Sequence, residues 1–206
     1  MKTMTNLFGC VTIAAMLSGC GTMFKQPAPV IAYYQLTYPA PQPVTAGIHK
    51  TVQVWPMRIV AEYDRDTLVF LNAGHRAGIY PYDLWIAGPA DQVTERFTRD
   101  LRAMGGFDAV IDSGGIGQKP DFVVYGAIDE LAERRADTGT CGAFAFTLTL
   151  IKPATAGETQ KMLMQKRYER TAPCTRAKPD SVAAAISTAL QQAAAEAIAD
   201  IRAAAQ

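Results

Sequence analysis

The chain predicts an α/β fold, a mixed β-sheet flanked by two main α-helices, in a single domain over residues 31–206. Three observations carry that prediction. Short runs rich in β-branched and aromatic residues recur along 31–171, many alternating between apolar and polar positions. Between them, apolar residues fall at helical spacing over 90–104, and an alanine-rich helical stripe closes the chain after residue 180. Helices placed between and after strands suit a sheet with helices packed on it better than a sandwich or a bundle. Strand order is not written in such a pattern.

The amino terminus carries an address. Met1–Asn6 holds one basic side chain, Lys2, and Leu7–Met16 is an apolar stretch, too short for the roughly 20 residues that a membrane span needs. Leu17-Ser18-Gly19-Cys20 then sets small residues immediately before a cysteine, which resembles the bacterial lipoprotein pattern. On that pattern residues 1–19 are a signal peptide, removed before Cys20, whose thiol receives acyl chains. No other cofactor is expected. An ordinary secretory peptide with an incidental cysteine, or an uncleaved anchor, is the alternative. Each buried methylene contributes about 0.8 kcal/mol, so several chains hold a protein on its membrane. In many Gram-negative bacteria an Asp after the cysteine retains such proteins in the inner membrane. Gly21 stands there instead, which implies the outer membrane, facing the periplasm. Residues 20–30, with Pro27 and Pro29, read as a lipidated flexible tether; ten extended residues at about 3.3 Å each reach roughly 30 Å.

Within the domain, Ile31–Thr37 is the first strand, ended by Pro39, Pro41 and Pro43. Thr51–Val60 is the second, with Val52, Val54, Pro56 and Arg58 on one side and Trp55, Met57 and Ile59 on the other. Leu68–Leu71 and Ala77–Tyr80 flank Asn72-Ala73-Gly74-His75-Arg76 as a hairpin. Over Ala90–Met104, Val93, Phe97, Leu101 and Met104 recur every three or four residues among polar positions, which makes an amphipathic helix. Gly105-Gly106 stops it. Phe107–Ile111 is a short buried strand, and Pro120-Asp121 marks the start of another, Phe122–Leu131. Two further runs, 142–152 and 161–171, flank a turn-rich Pro153–Glu158 segment as a hairpin. The closing helix, Ser181–Ala205, places Val182, Ile186, Ala189, Ala193, Ala197 and Ile201 on one stripe. Its alanines favour helix and let it lie close to a sheet or to another subunit, and Asp180 or Ser181 can cap it behind Pro179.

Composition narrows the partners. Removing residues 1–19 takes away Lys2 and no acid, so 20 basic and 19 acidic residues become 19 of each. A neutral chain argues against nucleic acid, whose phosphates call for clustered Lys and Arg. Of the four cysteines, Cys10 leaves with the signal and Cys20 takes the lipid. Cys141 and Cys174 remain, at the open end of the last hairpin, and an oxidising periplasm makes them a disulfide candidate, with two buried free thiols as the alternative. Opposing the two cysteines directly would set Phe144, Phe146, Leu148 and Leu150 against Thr171, Glu169, Arg167 and Gln165. A one-residue shift suits the apolar face better, so a bulge, or cysteines beyond the ladder, must reconcile the two.

Catalytic chemistry finds no foothold. His49 and His75 stand far apart, which disfavours a metal site and leaves few members for a Ser-His-Asp arrangement. Ser113–Pro120 superficially suggests a phosphate loop, but Pro120 follows Lys119 where a hydroxyl residue belongs. Asp129 and Glu130 are adjacent on a strand and so point to opposite faces, while Asp64 and Asp66 sit in a polar turn. Lys166, Arg167 and Arg170 read as a solvated strand face. A periplasmic hydrolase would lack a nucleophile and base, so the protein is read as not an enzyme.

Four phrases belong together: Tyr33-Tyr34-Gln35-Leu36 after the tether, Ile79-Tyr80-Pro81-Tyr82-Asp83-Leu84-Trp85 before the first helix, Pro120-Asp121-Phe122 opening a strand, and Gln165-Lys166-Arg167-Tyr168 in the last hairpin. With the signal, their order resembles the ABC-type transport auxiliary lipoproteins, the PqiC-like family, over about residues 31–200. The resemblance implies an outer-membrane lipoprotein that works with MCE proteins and an ABC permease and ATPase in moving lipids between two membranes. It also implies ring-like self-assembly, hence a homo-oligomer, and no catalytic residues. Tyr80, Tyr82 and Trp85 match its aromatic segment. They either touch a neighbouring subunit or an MCE partner, as interface aromatics do, or pack under the first helix. The alternative function is a structural envelope lipoprotein or assembly chaperone with no part in lipid transfer.

Overall fold

A single long strand with alternating inward and outward residues can pair along its whole length on both edges, and this chain builds its sheet around one. The computed structural model describes residues 28–45, 47–112, 119–175 and 178–206. The predicted signal, Cys20 and the 113–118 loop lie outside them. In chain order the elements are β1 (Ala32–Tyr34), β2 (Ile48–Val54), β3 (Arg58–Ile59), β4 (Thr67–Leu71), β5 (Ala77–Trp85), α1 (Pro89–Met104), β6 (Phe107–Ile111), β7 (Phe122–Ala136), β8 (Gly139–Lys152), β9 (Lys161–Pro173) and α2 (Pro179–Ala204). Ile31–Gln206 forms one compact unit.

One edge of β7 pairs antiparallel with β8, which pairs antiparallel with β9. Its other edge takes three short parallel partners in succession, β2, β3 and β4. Beyond them, β6 pairs with β2, and β5 joins β4 to β1. The sheet is therefore mixed and branched, as well as helix-flanked. Asp121 secures the start of β7. Its carboxylate accepts from the Thr51 amide at 2.8 Å and from the Thr51 hydroxyl at 3.1 Å, and these bonds hold its pKa below the usual carboxylate range.

Several boundaries differ from the sequence reading. Pro56 interrupts the expected Thr51–Val60 strand, leaving β2 and β3 in line along β7. β5 runs on to Trp85, and Pro81 is tolerated because the β4–β5 ladder is irregular between its Leu84 and Ile79 pairs. Lys178, not Asp180 or Ser181, is the N-cap of α2. Pro179 takes the first helical position, where its missing N–H is no loss, so the helix starts earlier.

Both helices bury the stripes the sequence marks. Val93, Phe97 and Leu101 of α1, and Val182, Ile186, Ala189, Ala193, Ala197 and Ile201 of α2, are buried. The meeting point is Phe146 on β8. Its ring lies 5.9 Å from Phe97, 5.1 Å from Phe144 and 5.6 Å from Tyr168 of β9, centroid to centroid. The Tyr168 hydroxyl donates to Asp200 of α2 at 2.9 Å, and Lys166 lies 2.7 Å from the same carboxylate. Arg170 pairs with Glu196 of α2. Thus Lys166 and Arg170 bind α2 rather than forming a free basic face. The segment after β1 is tied down by polar bonds the sequence does not advertise: Leu36 N donates to Gln92 Oε1 at 2.8 Å, Tyr38 Oη to Asp100 at 2.8 Å, and Thr37 N to Ser187 Oγ at 3.1 Å.

The β8–β9 ladder adopts the shifted register, with Phe144 opposite Arg170 and Phe146 opposite Tyr168. Cys141 is consequently opposite Pro173, and the Cys174 amide, just past the strand, donates to Thr140 O at 3.0 Å. Alternation then sends the thiols to opposite sides of the sheet. Cys141 lies beside Arg134 and Thr171, while Cys174 packs against the helix-side core. In this structure both are free thiols, and the expected Cys141–Cys174 disulfide is not formed. Burial pushes the Cys174 thiol pKa up, which slows its reaction as a thiolate. Alkylation of unreduced, denatured mature protein is expected to label both Cys141 and Cys174, as read by mass spectrometry; a disulfide would leave both unlabelled.

Candidate partner-docking face

Helices cover one side of β7–β9 and leave the other open. The pairing order lets this open face be read row by row. Tyr125 of β7 faces Thr149 of β8, which faces Gln165 of β9; Ala127, Thr147 and Arg167 form the next row. On the far edge of β7, Trp55 N donates to Val124 O at 3.0 Å and Arg58 stands opposite Ala127. Pro56 inserts one extra residue here, so Val54 and Met57 both turn inward while Trp55 and Arg58 are exposed. Gly126 makes this possible: a Cβ there would lie 2.6 Å from Met57 Cγ.

The result is a trough of about 460 Å³. Its aromatic wall is the stacked pair Trp55 and Tyr125, with ring centroids 5.8 Å apart and planes at 29°. Gly126 and Ala127 give a low floor, and Thr147, Thr149 and Gln165 line the other side. Gln165 Nε2 donates to Thr149 Oγ1 at 3.0 Å, which leaves the Thr149 proton and the Gln165 carbonyl available. Arg58 makes no hydrogen bond or ion pair among the described residues.

Beside the trough the charges are mutually satisfied. Arg134 Nε donates to Glu130 at 2.6 Å and its Nη2 to Glu169 at 2.6 Å; Arg167 pairs with Glu169 and lies 3.5 Å from Asp129. The two guanidinium groups hold the Glu169 carboxyl below its ordinary range. Asp129 and Glu130 therefore share this face, contrary to simple alternation, because the β7–β8 register shifts between Ile128 and Glu130. Arg167 belongs to this network too, so the expected solvated basic stretch is divided between two faces and neutralised on both.

The aromatic segment of β5 is also divided. Trp85 is buried in the core, which removes it as a contact for any partner. Tyr80 is half-buried; its hydroxyl donates to Glu133 at 2.6 Å, and Arg135 stacks 3.6 Å over Phe70 beside it. Burial, followed by Glu133, pushes the Tyr80 pKa up to about 12. Tyr82 alone of the three is exposed. His75 stands exposed in the β4–β5 turn as expected, and His49 lies 3.3 Å from Asp108, away from the trough. Among the described residues no three His, Cys, Asp or Glu side chains converge as a metal-binding group. Trp55 and Tyr125 escaped the sequence reading as a pair because their adjacency is created by β2–β7 pairing across 70 residues.

A one-sided helix layer on an open mixed sheet, with aromatic and arginine side chains on the bare face, places the chain among mixed α/β domains. The chain belongs to the ABC-type transport auxiliary lipoprotein family, whose model matches residues 34–199. Solved structures are similar in fold. A Xanthomonas campestris protein assigned to DUF330 superposes with a TM-score of 0.74 at 15% identity, covering 84% of this chain and 95% of its own. An uncharacterised protein gives 0.66 at 11% identity, with 84% and 99% covered. The Chlamydia trachomatis hypothetical protein CT253 gives 0.54 at 10% identity, with 76% and 98% covered. At such identities the likeness concerns the fold alone. No curated protein matches the chain.

Proposed function

We propose that this lipoprotein is a non-enzymatic accessory of an ABC-type, MCE-containing system that moves lipids between membranes. It is anchored at the outer membrane, facing the periplasm, by acyl chains on Cys20, and it docks the periplasmic conduit there. It works as a homo-oligomer; among the described residues the outer edges of β1, β6 and β9 have no strand partner, and such edges offer backbone groups for assembly. The observation that carries the docking reading is the bare face itself. Trp, Tyr and Arg are the residue types that dominate interface energetics, and Arg58 offers five donors to a carboxylate of the MCE partner. Family membership supports a transport role, and the neutral composition suits a partner recognised by shape and a few anchors rather than by bulk charge.

The test is a carboxyl-terminal tag, crosslinking in the native host and mass spectrometry of what copurifies. An MCE protein is expected with wild type, with or without its permease and ATPase. Trp55→Ala combined with Arg58→Glu is expected to lower its recovery at least tenfold, equivalent to about 1.4 kcal/mol or more, without a change in melting temperature. Absence of any expressed MCE protein from wild-type crosslinks would sink the reading. Undiminished recovery with the double variant would move the docking surface elsewhere on the domain.

A further inference from the structure

The first residues of the folded domain form an apolar strip that the docking face does not use. β1 pairs parallel with the end of β5, with Ala32 opposite Asp83, Tyr33 opposite Leu84 and Tyr34 opposite Trp85. Alternation divides these strands cleanly. Tyr34, Leu36 and Trp85 turn inward, and the Tyr34 hydroxyl donates to Asp83 at 3.0 Å, which draws the one carboxylate of the strip away from its outer side. Ile31, Tyr33, Tyr82 and Ile86 turn outward and are 51%, 61%, 47% and 65% exposed. Leu84 lies between them, half-buried. The outward positions 31, 33, 82, 84 and 86 contain no charged side chain.

We propose that this outward side of β1 and β5 seats the domain on the lipid bilayer surface, and the proposal rests on acylation at Cys20. Two observations select a membrane as the occupant. The strip begins eleven residues after Cys20, so even a fully extended connection keeps Ile31 within roughly 36 Å of the acylated residue at about 3.3 Å per residue. Its composition, aliphatic side chains with tyrosines that combine an apolar ring and a polar tip, is that of groups that settle at the boundary between headgroups and acyl chains. Acyl chains alone fix position without selecting which side of the domain meets the lipid. The strip supplies the second contact and selects one side of the domain to face the lipid.

Bromine on lipid acyl chains quenches tryptophan that enters the bilayer boundary, and native tryptophans stand only at Trp55, on the bare face, and Trp85, in the core. The mature, full-length protein, with acylation verified by mass, is reconstituted in vesicles of phosphatidylethanolamine and phosphatidylglycerol with plain or brominated chains. Tyr33→Trp and Tyr82→Trp are each expected to add an emission component that brominated vesicles quench by about half or more, as an interfacial side chain requires. Gln165→Trp, on the bare face, is expected to add emission that is not quenched. The proposal is overturned if the residue 33 and 82 variants are quenched no more than wild type while the protein floats with the vesicles. That result would assign the strip to a second copy or a protein partner. A protein that does not float at all overturns the anchor, a failure that flotation and mass distinguish from failure of the seat.

Discussion

Replacing Phe146 with alanine is expected to lower the unfolding free energy by about 3–5 kcal/mol. The ring is fully buried where α1, β8 and β9 meet, against Phe97, Phe144 and Tyr168. Truncation removes the apolar surface that the ring buries. It also opens a cavity that neighbours on three different elements cannot fill together, because each is held by its own ladder or helix. A loss of this size is a large share of the roughly 5–15 kcal/mol that stabilises a typical domain. Urea unfolding followed by far-ultraviolet circular dichroism reads it directly. Phe146→Leu keeps most of the volume and is expected to lose less than half as much. An alanine variant within about 1 kcal/mol of wild type would mean that the junction collapses freely, against the cavity penalty seen in packed cores.

Gly142→Val is expected to destabilise by about 3 kcal/mol or more, at the upper end of overpacking effects. A Cβ at Gly142 would stand 2.4 Å from Ile186 N and 2.7 Å from the Ala185 carbonyl carbon. Both are backbone atoms of α2, so no rotamer change relieves the clash and the helix must lift off β8. The alanine stripe on α2 and the glycine on β8 are thus two halves of one close crossing. Hydrogen exchange is expected to show lost protection concentrated in α2, together with a lower urea midpoint. Gly47→Ala serves as the control, because nothing lies within 4 Å of a Cβ there. Equal stability of Gly142→Val and wild type would show that the helix can sit further from the sheet.

The elements that were legible in the sequence are those in which one local periodicity answers to one buried surface. Val93, Phe97 and Leu101 mark the inner side of α1, and Val182 to Ile201 mark that of α2, because a helix shows its neighbours the same stripe whatever the rest of the chain does. The β8–β9 register was legible as well: only the one-residue shift sets Phe144 and Phe146 on the helix side with Tyr168. The docking face was not. Trp55 and Tyr125 each read as an ordinary strand aromatic, and nothing local distinguishes Arg58, without an ion pair among the described residues, from Arg167, paired with Asp129 and Glu169.

The sequence by itself determined the α/β class, the two helix stripes, the last hairpin and its register, and membership of the transport auxiliary lipoprotein family. Local periodicity, turn chemistry and short ordered phrases carry all of these. The tertiary structure alone decided that one edge of β7 takes three successive partners, that Trp85 is core while Tyr82 is surface, and that Cys141 and Cys174 lie on opposite sides of the sheet. It also decided that Asp129 and Glu130 share a face. Each of these depends on which distant strand fills a given edge and on where a bulge adds one residue. Such choices are set by the summed burial of the whole domain, and a single extra residue in one strand reverses the side to which every later side chain points.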